Sequence, residues 1–281
     1  MTPASCGIDL AAQVGRRGRM PIECAGRVAQ IAMRAVAVTI RAPGRWARWR
    51  IMAPLLLEIG VMSVPVVAIT GAFIGMLLAI ESFAQFQAYG LENKLGMIIN
   101  VSVVKQLGPV LAAVMVAGRV GGALTAELGT MRVTEQLDAV RAMGADPVAV
   151  LVVPRVVACM LMTPILTIFS DLHGVAGGWL FTVAWNGVSA REYWDNTAWF
   201  LTWWEPTTGL IKATFFGLSI GLISCYKGFN CRAGAAGVGR ATTESFVSSF
   251  LAIIIINLAL AEFLRTFGSL VLGIGFKSPL S

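Results

Sequence analysis

The stretch that decides the fold is residues 118–155, which read GRVGGALTAELGTMRVTEQLDAVRAMGADPVAVLVVPR. This stretch is polar, and it lies between two long apolar blocks of the chain. Its charges are divided between four arginines and four acids, which are Arg119, Arg132, Arg141, Arg155, Glu127, Glu135, Asp138 and Asp146. A polar segment in this position predicts a connection between two helices that cross a membrane.

The middle of this stretch is predicted to form a short helix over about 133–143. Thr130 or Thr134 can cap its start, and Gly144 and Pro147 end it. Apolar residues share one face and charged residues recur on the other, namely Val133, Leu137 and Val140 against Arg132, Glu135, Asp138 and Arg141. The pattern fits either a solvated connector or a helix that docks into a groove on a soluble partner.

The composition predicts an integral membrane protein built as one helical domain. The chain has 281 residues, of which 57% are hydrophobic and 13% are charged, and its mean hydropathy is +0.75. Soluble domains carry about 25% charged residues. The five cysteines form no CxxC pair and His173 is the single histidine, so we expect neither a disulfide framework nor a metal site.

Five apolar stretches predict membrane-spanning helices at about residues 61–80, 95–118, 156–190, 206–226 and 245–261. The third stretch is long enough for one helix or for a hairpin of two. With one helix, 16 lysines and arginines fall on the side of the N-terminus and four fall on the opposite side. The positive-inside rule therefore favours one helix, a cytoplasmic N-terminus and a C-terminus on the outer side.

The net charge is concentrated in a basic N-terminal arm, residues 1–50. This arm carries nine arginines against Asp9 and Glu23, whereas basic and acidic residues balance in the rest of the chain. Residues 22–41 are predicted to form an amphipathic helix on the membrane surface, where arginines contact anionic headgroups; nucleic acid is not expected as a partner. An organellar transit peptide is an alternative interpretation of an arginine-rich start.

The second apolar stretch contains polar residues well inside it. Lys105 and Gln106 precede Gly108 and Pro109, and the Gly-Pro pair predicts an irregular turn of the helix. A lysine inside a span is costly, so it faces protein, water or a polar ligand. Lys105 is therefore either paired with an acid or water, or available to a lipid phosphate, and Gln106 is a candidate for a helix–helix hydrogen bond.

Four segments resemble the MlaE/YrbE family of permeases. They are GAFIGM (71–76), QLGPVLAAVMVAGRVGGALTAELGTMRVTEQLDAVRAMGADP (106–147), LVVPR (151–155) and GRATTESF (239–246). Members of this family are permease subunits of ABC transporters that move phospholipids between membranes. The resemblance covers about residues 50–270, which suggests a permease domain over 51–281 behind the N-terminal arm.

The resemblance implies a homodimer of subunits, each with five spans and an N-terminal interfacial helix. It implies a separate cytoplasmic ABC ATPase that uses ATP, which fits the absence of the phosphate-binding sequence GxxxxGK[ST] from this chain. It also implies an MCE-domain protein on the outer face and, in some systems, a STAS-domain subunit. No enzymatic activity and no cofactor are expected in this chain. The helix over 133–143 corresponds to the family's coupling helix, so Glu135, Gln136, Asp138 and Arg141 are expected to face or support the ATPase.

The resemblance also places a lipid site between the two protomers, lined by the first, second and fifth spans. By position this site includes Leu78, Phe83, Lys105 and Gln106. Many members of the family carry an acid where Gln106 stands, so this chain departs from the family pattern there. The implied location is the bacterial inner membrane. A membrane scaffold or regulatory subunit that keeps the fold without transporting lipid is the alternative function.

Overall fold

The computed structural model describes residues 49–271 of the chain. The interfacial helix predicted over 22–41 lies outside the described residues. Within this range every regular element is a helix, and the α-helices are α1 (Trp49–Ile59), α2 (Val64–Gln87), α3 (Leu95–Ser102), α4 (Gly108–Val116), α5 (Gly122–Val133), α6 (Gln136–Ala142), α7 (Val153–Trp179), α8 (Ala190–Phe200), α9 (Trp204–Phe229) and α10 (Ala235–Val271). Short 3-10 turns at Val61–Ser63 and Glu92–Lys94 and π turns at Val103–Leu107, Ala117–Gly121, Val148–Val152 and Leu180–Trp185 join several of them.

Five helical segments of the described range are long and apolar enough to cross a membrane, and we call them spans 1 to 5. They are Met52–Gln87, Glu92–Val133, Val148–Trp185, Trp204–Phe229 and Ala235–Leu270. This confirms the predicted all-α fold with five membrane-spanning helices. The third apolar stretch forms one span, as the charge distribution indicated, and a hairpin there is excluded. The short helices α6 and α8 lie between spans 2 and 3 and between spans 3 and 4.

The helices extend well beyond the charge-free stretches of the sequence. Span 2 has 42 residues, which corresponds to about 63 Å of helix against a hydrocarbon core of about 30 Å. Residues 82–87 continue α2 beyond the first apolar stretch, and residues 235–244 begin α10 before the fifth apolar stretch starts. Charge ends a hydrophobic stretch, but it does not end a helix, because Glu, Gln, Lys and Arg are good helix formers.

Span 1 packs against span 3 so closely that the two backbones touch. A Cβ atom on Gly71 would overlap the carbonyl of Ser170, and one on Gly75 would overlap the carbonyl of Gly174. On the other helix, a Cβ atom on Gly177 would overlap the backbone of span 1. Small residues allow this close approach in a bilayer, where van der Waals contact replaces the hydrophobic effect as the force between helices.

Span 5 is attached on one side only. Its inward residues Ser245, Ser249, Ile253 and Leu264 are buried, but most of its large apolar side chains are exposed, as Leu258 is at 75%. Span 5 packs on spans 2 and 4, whereas span 1 packs mainly on span 3. Spans 1 and 5 do not pack closely on each other, and span 2 contacts both of them. We call the region between spans 1 and 5, over span 2, the groove.

Helix α8 is fixed to the end of span 2 remote from α6 by a buried polar network. The Tyr193 hydroxyl donates to Asn100 Oδ1 at 3.1 Å, and Asn100 Nδ2 donates to Thr197 Oγ1 at 3.0 Å. Burial raises the pKa of Tyr193 to about 12, while the hydrogen bond to Asn100 opposes this shift. The phenol therefore stays neutral and keeps the proton that it donates.

We expect Gly75→Val to lower the free energy of unfolding by about 2–3 kcal/mol or more, because the new side chain pushes spans 1 and 3 apart. Gly239→Ala is the matched control, since a Cβ atom there meets nothing within 4 Å. At this helical position the free energy of unfolding should change by less than about 1 kcal/mol. Thermal unfolding of both variants in the same detergent measures the difference. Equal midpoints would contradict the proposed contact.

Candidate functional site

The polar centre of the membrane-spanning region is an interaction between spans 2 and 4. Lys212 of span 4 is only 2% exposed. Its Nζ donates to Gln106 Oε1 at 2.6 Å and to the backbone oxygen of Lys105 at 3.3 Å. Gln106 thus makes the helix–helix hydrogen bond that its position suggested.

The backbone of span 2 explains why Lys212 finds an acceptor there. An α-helical Lys105 carbonyl would accept from the residue four positions later, which is Pro109, and proline has no N–H. The Val103–Leu107 π turn adjoins this proline, so the predicted irregularity at Gly108 and Pro109 is a π turn. Such turns are frequent at functional sites. The Lys212 ammonium takes the place of the missing donor.

The charges around this interaction do not cancel. Lys105 and Lys212 lie near one another, and among the described residues neither has a carboxylate within 4 Å. Asp171 of span 3 lies against Gly108, but its Oδ1 is buried without a hydrogen-bond partner. Two cations without a paired acid make this part of span 2 attractive to an anionic group.

The two apolar candidates lie in a separate part of span 1. Leu78 and Phe83 are partly buried and pack against a cluster formed by Ala79, Leu95, Ile99 and Val103. The ring of Phe83 also meets the ring of Phe181 edge-on, with centroids 6.3 Å apart. The structure thus places both residues in apolar contacts within the chain, while Gln106 and the Lys105 backbone contact Lys212.

The short helix α6 presents the four predicted coupling residues at one end of the molecule. Glu135 precedes the helix in a left-handed conformation with φ 58°, and Gln136 is its first residue. Asp138 and Arg141 form an exposed ion pair of 2.8 Å, and Leu137 is buried and anchors the helix. A non-glycine residue in this conformation costs about 1–2 kcal/mol, and such strain often marks functional positions.

The details of this helix differ from the sequence prediction. α6 is shorter than the predicted 133–143, and neither Thr130 nor Thr134 caps it, because each hydroxyl donates to a carbonyl one turn earlier. Val133 is exposed and is not part of a buried face. The ending at Gly144 is confirmed, since this glycine has φ +74°, which few other residues adopt.

A buried arginine joins the ends of spans 2 and 3 on either side of α6. Arg155 Nη2 donates to Glu127 Oε1 at 2.6 Å, and its Nη1 donates to the carbonyl of Leu151 at 2.9 Å. The arginine side chain is 8% exposed and the glutamate side chain is 51% exposed. This partly buried pair joins the two ends of the segment that carries α6.

Sequence reasoning missed three of these residues, Lys212, Arg155 and Glu127, as partners. The signal that could have marked Lys212 is the cost of a cation within an apolar stretch. Arg155 and Glu127 were both quoted in the polar stretch, but nothing in their spacing pairs them. Among the described residues no group of three or more His, Cys, Asp and Glu side chains could hold a metal.

Residues 217–221 read GLSIG and match the GxSxG sequence of serine hydrolases. In those enzymes the serine lies on a sharp turn between a strand and a helix. Here the segment lies within the continuous helix α9, and Ser219 Oγ donates to the carbonyl of Phe216 at 2.8 Å. Gly217 and Gly221 pack on span 3. The motif is therefore a helix-packing element and not a nucleophile.

We expect Gln106→Leu to lower the free energy of unfolding by about 1–3 kcal/mol, because it leaves the buried ammonium of Lys212 with one backbone acceptor. The double variant Gln106→Leu, Lys212→Met removes both partners and should recover at least half of this loss. Gln87→Leu, at the exposed end of α2, is the control. Unfolding of these proteins and of the single variant Lys212→Met in one detergent measures the coupling, and strictly additive effects would contradict a direct interaction.

Comparison with known proteins assigns the chain to a family. Residues 53–263 match the family described as Permease MlaE. A probable ABC transporter permease protein of Rickettsia bellii is 38% identical over 255 residues, which cover 91% of this chain and 97% of the relative. The intermembrane phospholipid transport system permease protein MlaE of Haemophilus influenzae is 34% identical over a region that covers 72% of this chain and 79% of the relative. The chloroplastic TRIGALACTOSYLDIACYLGLYCEROL 1 protein of Arabidopsis thaliana is 37% identical over a region that covers 76% of this chain and 61% of the relative. The chain is a multi-pass membrane protein that belongs to the MlaE permease family.

Proposed function

We propose that this chain is the permease subunit of an ABC transporter that moves phospholipids between membranes, driven by ATP hydrolysis in a separate cytoplasmic ATPase. The observation that carries the proposal is the exposed helix α6, held at the ends of spans 2 and 3 by the Arg155–Glu127 pair. A helix in this position can receive a movement from a soluble partner and pass it to two spans. The name of the Haemophilus relative supplies the cargo class.

The coupling surface consists of Glu135, Gln136, Asp138 and Arg141. The side chains of Asp138 and Arg141 are 68% and 59% exposed, so they are available to a partner. Charged residues of both signs on one short helix favour a polar groove as the docking site. A solvated connector would not require the left-handed start of α6 or the buried pair behind it, and an inactive scaffold would not require a preserved docking helix.

The lipid pathway in this proposal is the groove between spans 1 and 5. A second copy of the chain closes the groove when the exposed apolar face of span 5 packs in a homodimer, which also removes much of that face from lipid. Lys105 contacts the lipid phosphate, and Lys212 holds Gln106 beside it. Leu78 and Phe83 belong to the apolar wall and contact acyl chains.

The charge distribution supports an orientation in the bacterial inner membrane. The end of the molecule with α6 is cytoplasmic, together with the N-terminus, and the C-terminus is periplasmic. The ATPase then meets α6, and an MCE-domain protein meets the opposite face near α8. A STAS-domain subunit is an additional partner in some systems of this family.

The proposal is tested by purifying the full chain from its native membrane and analysing lipids and partners in the same sample. We expect two copies of the chain, an ABC ATPase and bound phospholipid, with ATPase activity that rises when phospholipid is supplied. Recovery of the ATPase without bound phospholipid or lipid-stimulated ATP hydrolysis would instead support a scaffold.

We expect Arg141→Glu to weaken association with the ATPase about tenfold or more, because it reverses an exposed charge on the docking helix. The midpoint of thermal unfolding should not change, since the side chain is on the surface. Arg191→Glu is the matched control, an exposed i,i+4 partner of Asp195 on the opposite side of the membrane. If both variants retain the ATPase equally, α6 is not the coupling surface.

A further inference from the structure

Arg119, the first charged residue after the apolar part of span 2, is held against span 1. Its Nη1 donates to Ser63 Oγ at 2.6 Å and to the backbone oxygen of Glu58 at 3.2 Å. Ser63 is buried at 2% exposure, but Arg119 itself is exposed. Span 1 therefore holds one nitrogen of the guanidinium group, while the Arg119 side chain remains exposed.

The open side of Arg119 is the groove between spans 1 and 5. The preceding residue, Gly118, faces span 5, since a Cβ atom there would lie 3.5 Å from the ring of Phe246. Adjacent residues of span 2 thus face the two walls of the groove. A Cβ atom on Gly122, about one turn later, would meet nothing within 4 Å. The glycines leave space beside the guanidinium group for a ligand.

Hydrogen-bond donors of Arg119 remain available in this space. A guanidinium group has five N–H donors, and the contacts among the described residues use only Nη1. None of the ion pairs in the described range includes Arg119 or the exposed carboxylate of Glu58. Nε and Nη2 can therefore form a bidentate contact, the geometry in which arginine binds phosphate.

Ser63, Arg119 and Phe246 lie at the same level of the membrane. Ser63 is near the start of the first apolar stretch, Arg119 directly follows the second, and Phe246 begins the fifth. Lipid phosphates lie just outside the hydrocarbon core. The level of Arg119 is therefore that of the headgroups in the leaflet nearest α6. Phe246 and Phe250, stacked with centroids 6.4 Å apart and each 37% exposed, supply an apolar wall for acyl chains.

We propose that Arg119 binds the phosphate group of a phospholipid at the end of the groove nearest α6. The inference rests on the proposed function and adds to it a second phosphate contact, about 21 Å along span 2 from Lys105. A phospholipid is favoured over free phosphate because the cation opens onto apolar walls and not onto an aqueous pocket. A lipid would meet Arg119 first on one leaflet and Lys105 deeper in the membrane.

The test uses the assembled complex in lipid discs and two photoreactive lipid probes. One probe is a phosphatidylglycerol, and the other is a diacylglycerol that has the same acyl chains but no phosphate. The variants are Arg119→Gln, Arg119→Lys and Ser63→Ala, with Arg232→Gln as the control for loss of an exposed arginine on the same side. We expect Arg119→Gln to reduce crosslinking of phosphatidylglycerol about tenfold and to leave diacylglycerol unchanged. Arg119→Lys should retain an intermediate level, and Arg232→Gln should match the unaltered complex. Millimolar glycerol phosphate should not compete.

The outcomes separate the two levels of the proposal. If the unaltered complex captures phosphatidylglycerol and Arg119→Gln captures as much, the Arg119 site is wrong while the proposed function stands. If Arg119→Gln and Ser63→Ala reduce both probes equally, Arg119 only braces span 1 and the phosphate site is overturned. Competition by glycerol phosphate would assign the site to a soluble phosphate. If the unaltered complex captures neither probe, the proposed transport of phospholipid itself fails.

Discussion

The close contact between spans 1 and 3 is the constraint on which the rest of the structure depends. Gly71 and Gly75 bring one helix backbone onto the other, so the two spans form a unit without intervening side chains. In a bilayer this contact relies on packing, which is lost quickly with distance. Span 3 also packs on span 4 through Gly217, while span 5 remains peripheral. The groove thus lies between span 1, which packs on span 3, and span 5, which packs on spans 2 and 4.

Two cations of the spans, Lys212 and Arg119, follow one physical pattern that the ion-paired Arg155 and Lys227 do not share. Each finds backbone or side-chain oxygens that hold it, and none of these oxygens neutralises its charge. Lys212 donates to Gln106 and to the Lys105 carbonyl, which cannot accept a hydrogen bond from Pro109. Arg119 donates to Ser63 and to the carbonyl of Glu58. A neutral acceptor fixes the position of a cation and leaves its attraction for an anion intact. This arrangement suits a protein that binds an anionic headgroup for a limited time.

The sequence was sufficient for the number of spans and for the position of α6, because charge-free stretches and the Gly144 stop are local signals. It misplaced the start of α6, since threonine hydroxyls in a helix can bond back to the preceding turn and do not have to cap the next helix. It could not identify the bond between Lys212 and Gln106, which are 106 positions apart. Likewise, Arg119 in the quoted stretch gave no indication that it meets span 1. Helix packing brings these residues together, and no spacing rule encodes it.

The most direct test of this account measures distances within one protomer of the assembled complex, with and without a non-hydrolysable ATP analogue. Spin labels replace the exposed residues Leu77, Leu172 and Leu258 of spans 1, 3 and 5, and labelled subunits are diluted with unlabelled ones. The account predicts that the distance between spans 1 and 3 changes by less than about 2 Å, while that between spans 1 and 5 changes by more. A change between spans 1 and 3 as large as that between spans 1 and 5 would contradict it.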